Sequence, residues 1–317
     1  MTPARIIPVD ARDDAVSAYL RIRNEVAPDQ PDGVDQVRWE RATYPGQVFR
    51  FLALGEDRQP AGTATSGRIW VHGPEYERAW LGIWVLPGQR HRGIGHALYE
   101  ACSREVHAIG KTGFETQLSE RHADGHAFLR HRGFVETGRS KVVTLDLRGL
   151  EAPEPALPAG FTLTTLEARP DLLAGVHAIA LDAFPDIPSG DEPMAVGTLE
   201  EFAARDVDRP AVPRDAFTVI VDDATGEAVA YASLMLAPGS RTLAWHEMTA
   251  VRRAYRGRGL ATAAKLATIA WAARNGLQTL ETGNDSTNAP MRAVNAKLGY
   301  RPAPDAVDLR GPLAPGT

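Results

Sequence analysis

Residues 90–95 read R-H-R-G-I-G and residues 256–261 read R-G-R-G-L-A, a spacing of 166 positions that continues far beyond the motif. Val85 matches Val251, Arg92 matches Arg258, Gly93 matches Gly259, Gly110 matches Gly276, Thr116 matches Thr282 and Gly133 matches Gly299, with no gap between them. A fixed internal period means that one supersecondary module has been used twice. The fold must therefore be buildable from two copies, which divides the 317 residues into domains of ordinary size, expected at residues 1–150 and 160–317. Between them, 149–160 reads G-L-E-A-P-E-P-A-L-P-A-G, where prolines and small residues disfavour regular structure.

In the first copy an extended stretch at 6–9 leads to a helical pattern at 15–26 and extended segments at 48–54 and 80–86. A helix is expected over 93–110, with Leu98, Cys102, Val106 and Ile109 at helical spacing. A strand at 114–118, a shorter helix at 125–132 and a strand ending at 147 follow. The second copy repeats the scheme: extended at 161–166, helical at 171–183, strands at 217–221, 228–236 and 243–251, a long helix at 259–275, extended at 277–282 and helical at 290–298. Strands that alternate late with helices imply an α/β (α+β) module with a mixed sheet, present in tandem.

Composition narrows the function classes. The chain is 44% hydrophobic and 24% charged with a net charge of -5, so no basic excess points to nucleic acid. Cys102 is the only cysteine, which rules out an intrachain disulfide and a zinc site of several thiolates. No apolar run approaches the ~20 residues of a membrane span, and the N-terminus lacks the apolar core of a leader. A cytoplasmic protein with no membrane, nucleic-acid or metal partner is expected.

The repeated turn carries the chemistry. Where a strand gives way to a helix, the first helical turn offers unpaired N–H groups and the positive end of the helix dipole, and glycines let an anionic diphosphate approach the backbone. The stretch R-R-A-Y-R-G-R-G-L-A lies between the strand at 243–251 and an alanine-rich helix, in that order. Neither G-x-x-x-x-G-K nor G-x-G-x-x-G is present, so this is not a Walker loop or a dinucleotide fingerprint.

In these residues the chain resembles the GNAT acyltransferases, whose signature is R/Q-x-x-G-x-G/A after a strand. It reads V-L-P-G-Q-R-H-R-G-I-G in the first copy and V-R-R-A-Y-R-G-R-G-L-A in the second. The family's late helix ending in G-F is similar to F-L-R-H-R-G-F at 128–134 and V-N-A-K-L-G-Y at 294–300. The resemblance covers both copies and implies two tandem GNAT-like domains, each a mixed, mostly antiparallel sheet flanked by helices. It implies acetyl-coenzyme A as cosubstrate, its pyrophosphate on Arg256, Gly257, Arg258, Gly259 and Ala261. Its pantetheine arm would lie along Met248, Thr249 and Val251. The matching residues of the first copy are Val85, Arg90, Arg92, Gly93 and Gly95.

Acetyl transfer to an amine needs the nucleophile deprotonated, since an alkylammonium with pKa near ~10 is inert at neutral pH. By the resemblance the base is a Glu nine residues before the motif, which is Glu247; the constant spacing sets Leu81 opposite it in the first copy. Strand alternation puts Glu247 on the face of Val251 and His246 on the other, as a structural residue. The family's last helix supplies an Asn that contacts the coenzyme and a Tyr that protonates the thiolate. Here Asn288 is retained, but the tyrosine position is Asn295, an amide able to donate a hydrogen bond though not a proton. Asn284 is a further site candidate, although Asn284 and Asn288 also suit a loop and N-cap. The first copy has His122 and Leu129 in these places, so residues 160–317 are expected to be the working, catalytic half and the first copy degenerate or supporting.

Asp182, Asp186, Asp191, Glu192, Glu200, Glu201, Asp206 and Asp208 stand against Arg205 alone, a negative segment that would steer a cationic amine or serve as a solvated loop. The expected activity is N-acetylation of a primary amine on a small molecule. The alternatives are a peptide or protein lysine acetyltransferase and a non-catalytic acyl-coenzyme A sensor. Either a monomer or a homodimer fits the sequence.

Overall fold

A computed structural model describes residues 4–44, 46–188 and 194–316. In chain order its elements are β1 (Arg5–Pro8), α1 (Asp13–Val26), α2 (Val34–Thr43), β2 (Val48–Leu54), β3 (Pro60–Arg68), β4 (Arg78–Val85), α3 (Ile94–Ala108), β5 (Gly113–Ser119), α4 (Ala123–Arg130) and β6 (Val135–Asp146). There follow β7 (Phe161–Thr165), α5 (Leu173–Ala183), α6 (Leu199–Phe202), β8 (Thr218–Asp222), β9 (Ala228–Leu236), β10 (Leu243–Val251), α7 (Leu260–Arg274), β11 (Thr279–Asp285), α8 (Ala289–Lys297), β12 (Arg301–Pro302) and β13 (Ala306–Pro312).

The chain forms two compact units, one of residues 1–138 with 307–317 and the other of 139–306. This departs from the expected boundaries at 1–150 and 160–317. The last segment of the chain completes the first unit, where β13 neighbours β5, Arg310 pairs with Glu115 at 2.5 Å and the Tyr99 hydroxyl donates to the Pro312 carbonyl at 2.7 Å. Residues 140–146 of β6 pair antiparallel with β11 in the second unit. An unpaired strand edge in a sheet interior would leave backbone groups unsatisfied, and β13 and β6 fill the edges of β5 and β11.

Within the first unit the strand order is β1-β2-β3-β4-β5-β13, and within the second β6-β11-β10-β9-β8-β7. The β4–β5 and β10–β11 pairs are parallel, and β1–β2, β2–β3, β3–β4, β7–β8, β8–β9 and β9–β10 are antiparallel. Each sheet is covered on both faces. In the first unit Leu98, Cys102 and Val106 of α3 pack with Phe114, and Val16, Tyr19 and Leu20 of α1 pack with Leu52. In the second, Val176 and Ile179 of α5 pack with Phe217 and Tyr231, while Leu260, Ala263 and Ala264 of α7 meet Ile220 and Val229 on the other side. Alanine at so many α7 positions suits both high helix propensity and close approach to the sheet. Cys102 is buried in the first core and its thiol is pushed up to about 12 by burial, which leaves it inert.

Candidate active site

In both units the parallel pair at the centre of the sheet is short. β4 pairs with β5 only from Arg78 to Trp80, and β10 with β11 only from Leu243 to Trp245. Beyond those residues β4 runs on to Val85 and β10 to Val251 without a partner on that side, while β5 and β11 continue to Ser119 and Asp285. The strands part and leave a cleft lined by an open strand edge, able to pair with an extended amide-bearing chain.

The two clefts differ in one residue of strand. Ala79 pairs with Phe114 and Trp80 with Glu115, just as Ala244 pairs with Leu280 and Trp245 with Glu281. Across the sheet, β3 and β4 keep one register throughout, but β9 and β10 slip between His246, opposite Leu234, and Thr249, opposite Ala232. Glu247 and Met248 therefore face the single residue Ser233, in a β-bulge, where the first unit has only Gly82. This corrects the expected match of Glu247 with Leu81. Leu81 corresponds instead to His246, and both are buried, at 5% and 3% exposure. The expectation that Glu247 and Val251 share a face fails for the same reason, since a bulge interrupts alternation. Met248 packs with the core beneath α5 and Val251 with the core beneath α7.

Bulges re-aim side chains and are frequent beside functional sites. Here the bulge presents Glu247 to solvent while protein crowds it on several sides. That burial of its surroundings raises its pKa above the usual carboxylate range, Arg209 pulling it down and Asp206 pushing it up. The neighbouring residues 203–207 form a π-helical turn, in which Arg205 holds Asp206 at 2.7 Å. The Tyr231 hydroxyl is buried without a partner among the described residues, and burial raises its pKa, with the nearby Asp206 charge adding to the shift. The proximity of Asp206 and Arg209 to Glu247 was not legible in sequence, because it joins residues about 40 positions apart through tertiary packing.

The glycine turns are alike. Gly93 and Gly259 adopt left-handed φ of 79° and 82°, and a Cβ built on either would meet nothing within 4 Å. The first bonds of the following helices run from Ala97 N–H to Gly93 O and from Ala263 N–H to Gly259 O, so the amides of the preceding turn face an open concavity suited to phosphate. Gly95 and Ala261 lie in those first helical turns. Gly257, at φ 77°, has His91 as its counterpart, a non-glycine residue at φ 60°. Arg90 and Arg256 brace the turns identically, each Nε donating to Val85 O or Val251 O at 3.3 and 3.2 Å. Arg92 shares the first turn, and Arg258 lies over the Tyr255 ring at 5.0 Å.

Carboxylates hold the same arginines. Arg90 meets Asp124 at 3.1 Å, and Asp186 binds both Arg253 at 2.8 Å and Arg256 at 2.6 Å, which keeps its carboxyl well below the usual range. Asp182 adds a bond to Arg253 N–H at 2.6 Å, Glu201 caps α6 through Thr198, and Asp208 pairs with Arg214. In the segment expected to be negative, Asp182, Asp186, Asp206 and Asp208 are thus paired with arginines and Glu201 is engaged in capping. Asp191 and Glu192 lie outside the described residues.

On the other wall of the second cleft, Asn288 is the N-cap of α8, its Oδ1 accepting from Met291 N–H at 3.3 Å. Asn295 is 1% exposed and donates through Nδ2 to Asn284 Oδ1 at 2.6 Å. Its Oδ1 is buried without a partner, as is Thr249 Oγ1, among the described residues. The free atom of Asn295 is thus an acceptor, and the amide's donating side is engaged by Asn284. Behind β10, His246 bonds Tyr300 and Thr268 in the core, and burial holds it neutral. It is structural, but it lies on the α7 side of the sheet with Val251 rather than on the opposite face. Lys265 is buried beside it, 5.5 Å from the Tyr300 ring, and burial lowers its pKa to about 7.

In the first unit the cleft is a cavity of about 650 Å³. Its β4 wall carries Trp84, whose indole lies against Gly82 so closely that any Cβ there would strike it. The Arg23 guanidinium covers the indole at 5.0 Å. Trp84 thus fills the space that adjoins the bulge in the second unit, a feature invisible at the level of motif spacing. Among the described residues, no group of three His, Cys, Asp or Glu could hold a metal, and no helix is long and apolar enough to cross a membrane.

This arrangement, two clefts with parting strands and glycine turns, recurs in known proteins. The acetyltransferase (GNAT) family model matches residues 13–134 and 176–300. A tandem GNAT protein from the clavulanic acid biosynthesis pathway superposes with a TM-score of 0.79 at 22% identity, covering 99% of this chain and 100% of that one. A GCN5-related N-acetyltransferase from Sphaerobacter thermophilus gives 0.71 at 18% identity over 100% and 98%. At these identities both show the fold alone; among curated proteins, none matches the sequence. The chain belongs to the acetyltransferase (GNAT) family, carries two of its domains, and is an acyl-coenzyme A-dependent acyltransferase.

Proposed function

We propose that the protein transfers an acetyl group from acetyl-coenzyme A to a primary amine of a small molecule, with the second unit catalytic. The observation that carries this reading is the β10 bulge, which sets Glu247, a carboxylate of raised pKa, beside the open strand edge. Acetyl-coenzyme A supplies the acetyl group as a thioester. The amides from Gly257 to Ala261 hold its diphosphate, assisted by Arg256 and Arg258, and the edge from Met248 to Val251 pairs with its pantetheine amides. Glu247 accepts the proton of the acceptor ammonium, directly or through water, and its raised pKa makes it a stronger base than an ordinary carboxylate. Asn295 Oδ1 and Thr249 Oγ1 accept N–H groups of the bound molecules, Asn284 fixes the Asn295 amide, and Asn288 contacts the coenzyme through the nitrogen its capping bond leaves free. The leaving thiolate, with a thiol pKa of about 8.5, departs without a dedicated acid.

For the first unit, Trp84 over Gly82 favours coenzyme binding without turnover, on the cradle of Val85, Arg90, Arg92, Gly93 and Gly95. The neutralised acids around 182–208 give little support to cationic steering, so the acceptor is read from Glu247 alone. The test is thiol release from acetyl-coenzyme A against a panel of amines, with products identified by mass. Activity in the parent and its loss in Glu247→Gln, with coenzyme affinity retained, is the expected result; equal activity in the variant would remove Glu247 as the base.

A further inference from the structure

The first unit's cavity is walled on one side by Ile83, Leu118, Phe128 and Leu129, which pack onto that unit's core. At three of these positions the second unit carries polar groups: Thr249 for Ile83, Asn284 for Leu118 and Asn295 for Leu129. The correspondence is structural, because Ile83 and Thr249 face Ala64 and Ala232 on matching strands, and α4 and α8 begin at equivalent residues. At these positions the second unit offers hydrogen-bonding atoms that have no partner among the described residues, Thr249 Oγ1 and Asn295 Oδ1, whereas the first offers hydrocarbon; the rest of the cavity's lining includes polar groups such as Gln117 and His122. The acceptor side differs too. Trp84 closes it, and Arg23 is held over the indole by the Gln30 carbonyl at 2.8 Å and by Asp32 at 3.7 Å.

The geometry points to a first-unit site that holds acyl-coenzyme A thioesters with aliphatic acyl groups longer than acetyl, and holds them without transfer. It goes beyond the acetyl-transfer reading and rests only on the first glycine turn being a coenzyme cradle. An acetyl group leaves most of the aliphatic wall unused, whereas each further methylene buried there strengthens binding by about threefold to fourfold. A carboxylate on the acyl group would be desolvated against Ile83, Leu118 and Leu129 and penalised. No bulge carboxylate stands on this strand edge, where the unbroken register places Gly82, and the Trp84 indole occupies the space beside it.

The experiment is calorimetric titration of the full chain, without amine, by coenzyme A, acetyl-, hexanoyl- and succinyl-coenzyme A. At the site that first-unit substitutions alter, as distinct from the second unit's acetyl-coenzyme A site, hexanoyl-coenzyme A should bind at least about tenfold more tightly than the acetyl and succinyl forms. Leu118→Asn and Leu129→Asn, which install the second unit's residues, should abolish that preference while coenzyme A itself still binds. Equal affinity for the acetyl and hexanoyl forms, tighter binding of the succinyl form, or a preference that survives both substitutions would overturn the proposal. Should those variants fail to fold, tryptophan emission decides. Hexanoyl-coenzyme A should change it in the parent and not in Trp84→Phe, and an identical change in both would count against the site. Glu247→Gln separates the two readings, since it should lose transfer and keep the hexanoyl preference. An inactive parent that still prefers hexanoyl refutes the acetyl-transfer reading alone, and an active parent without the preference refutes only this site.

Discussion

Opposite Ser233 on β9 stand two residues of β10, and Glu247 is the first of them. The carboxylate owes its position to an extra residue in the strand, so removing that residue should return β10 to the unbroken register that β4 already shows. Deletion of Glu247 is expected to leave a folded protein, destabilised by no more than about 2 kcal/mol, with acetyl transfer lost. Circular dichroism, urea unfolding and thiol release check this together, and wholesale unfolding would show that the bulge is required for the second core.

The pH dependence follows from the direction of the Glu247 shift. A base must be deprotonated to act, and burial raises its pKa, so kcat/KM should rise with pH through an apparent pKa above the ordinary carboxylate value of about 4.3. Glu247→Gln should lower kcat/KM by roughly 10²–10⁴ and flatten that limb. A limb that persists unchanged in the variant would assign it to another group.

Asn295 carries a buried acceptor without a partner, and the first unit places leucine at the same point. Asn295→Leu should therefore keep or raise the thermal midpoint while lowering kcat/KM about tenfold, the worth of one hydrogen bond to a ligand. A stability loss with unaltered kinetics would make Asn295 a packing residue.

Lys265 gives a pH-dependent stability of definite sign. In the unfolded chain it keeps its proton to about pH 10.4, whereas in the fold its pKa is about 7. Between these values the unfolded state binds more protons, so stability rises with pH across the window, and the penalty is fully present below it. The parent should gain a few kcal/mol between about pH 7 and 10 from this group, and Lys265→Met should lack the gain and be the more stable at pH 7. Urea unfolding at the two pH values measures both.

Much of the fold was legible locally. The helices after Gly93 and Gly259 begin and end within two residues of their expected limits, because helical spacing of Leu98, Cys102 and Val106 and the Ala content of α7 are properties of adjacent residues. Even the bulge left a trace: A-W at 79–80 and A-W at 244–245 stand one position out of phase with the 166-residue spacing. Reading the spacing as gapless concealed it and set Leu81 against Glu247 rather than against His246. The strand β3, the short β12 and the final strand β13 had no motif to announce them.

The sequence by itself determined that a module is used twice and that each copy has a glycine turn before a long helix. These are matters of periodicity and residue type, and the family resemblance they carry implied Glu247, Asn288 and Asn295 as the polar candidates of the second copy. Tertiary structure alone decided which strand fills the edge of β5, that β10 bulges at Glu247, that Trp84 covers Gly82, and that Asp186 meets Arg253 and Arg256. Register, edge pairing and the surroundings of a carboxylate belong to the partner across the gap, and no single stretch of chain contains its own partner.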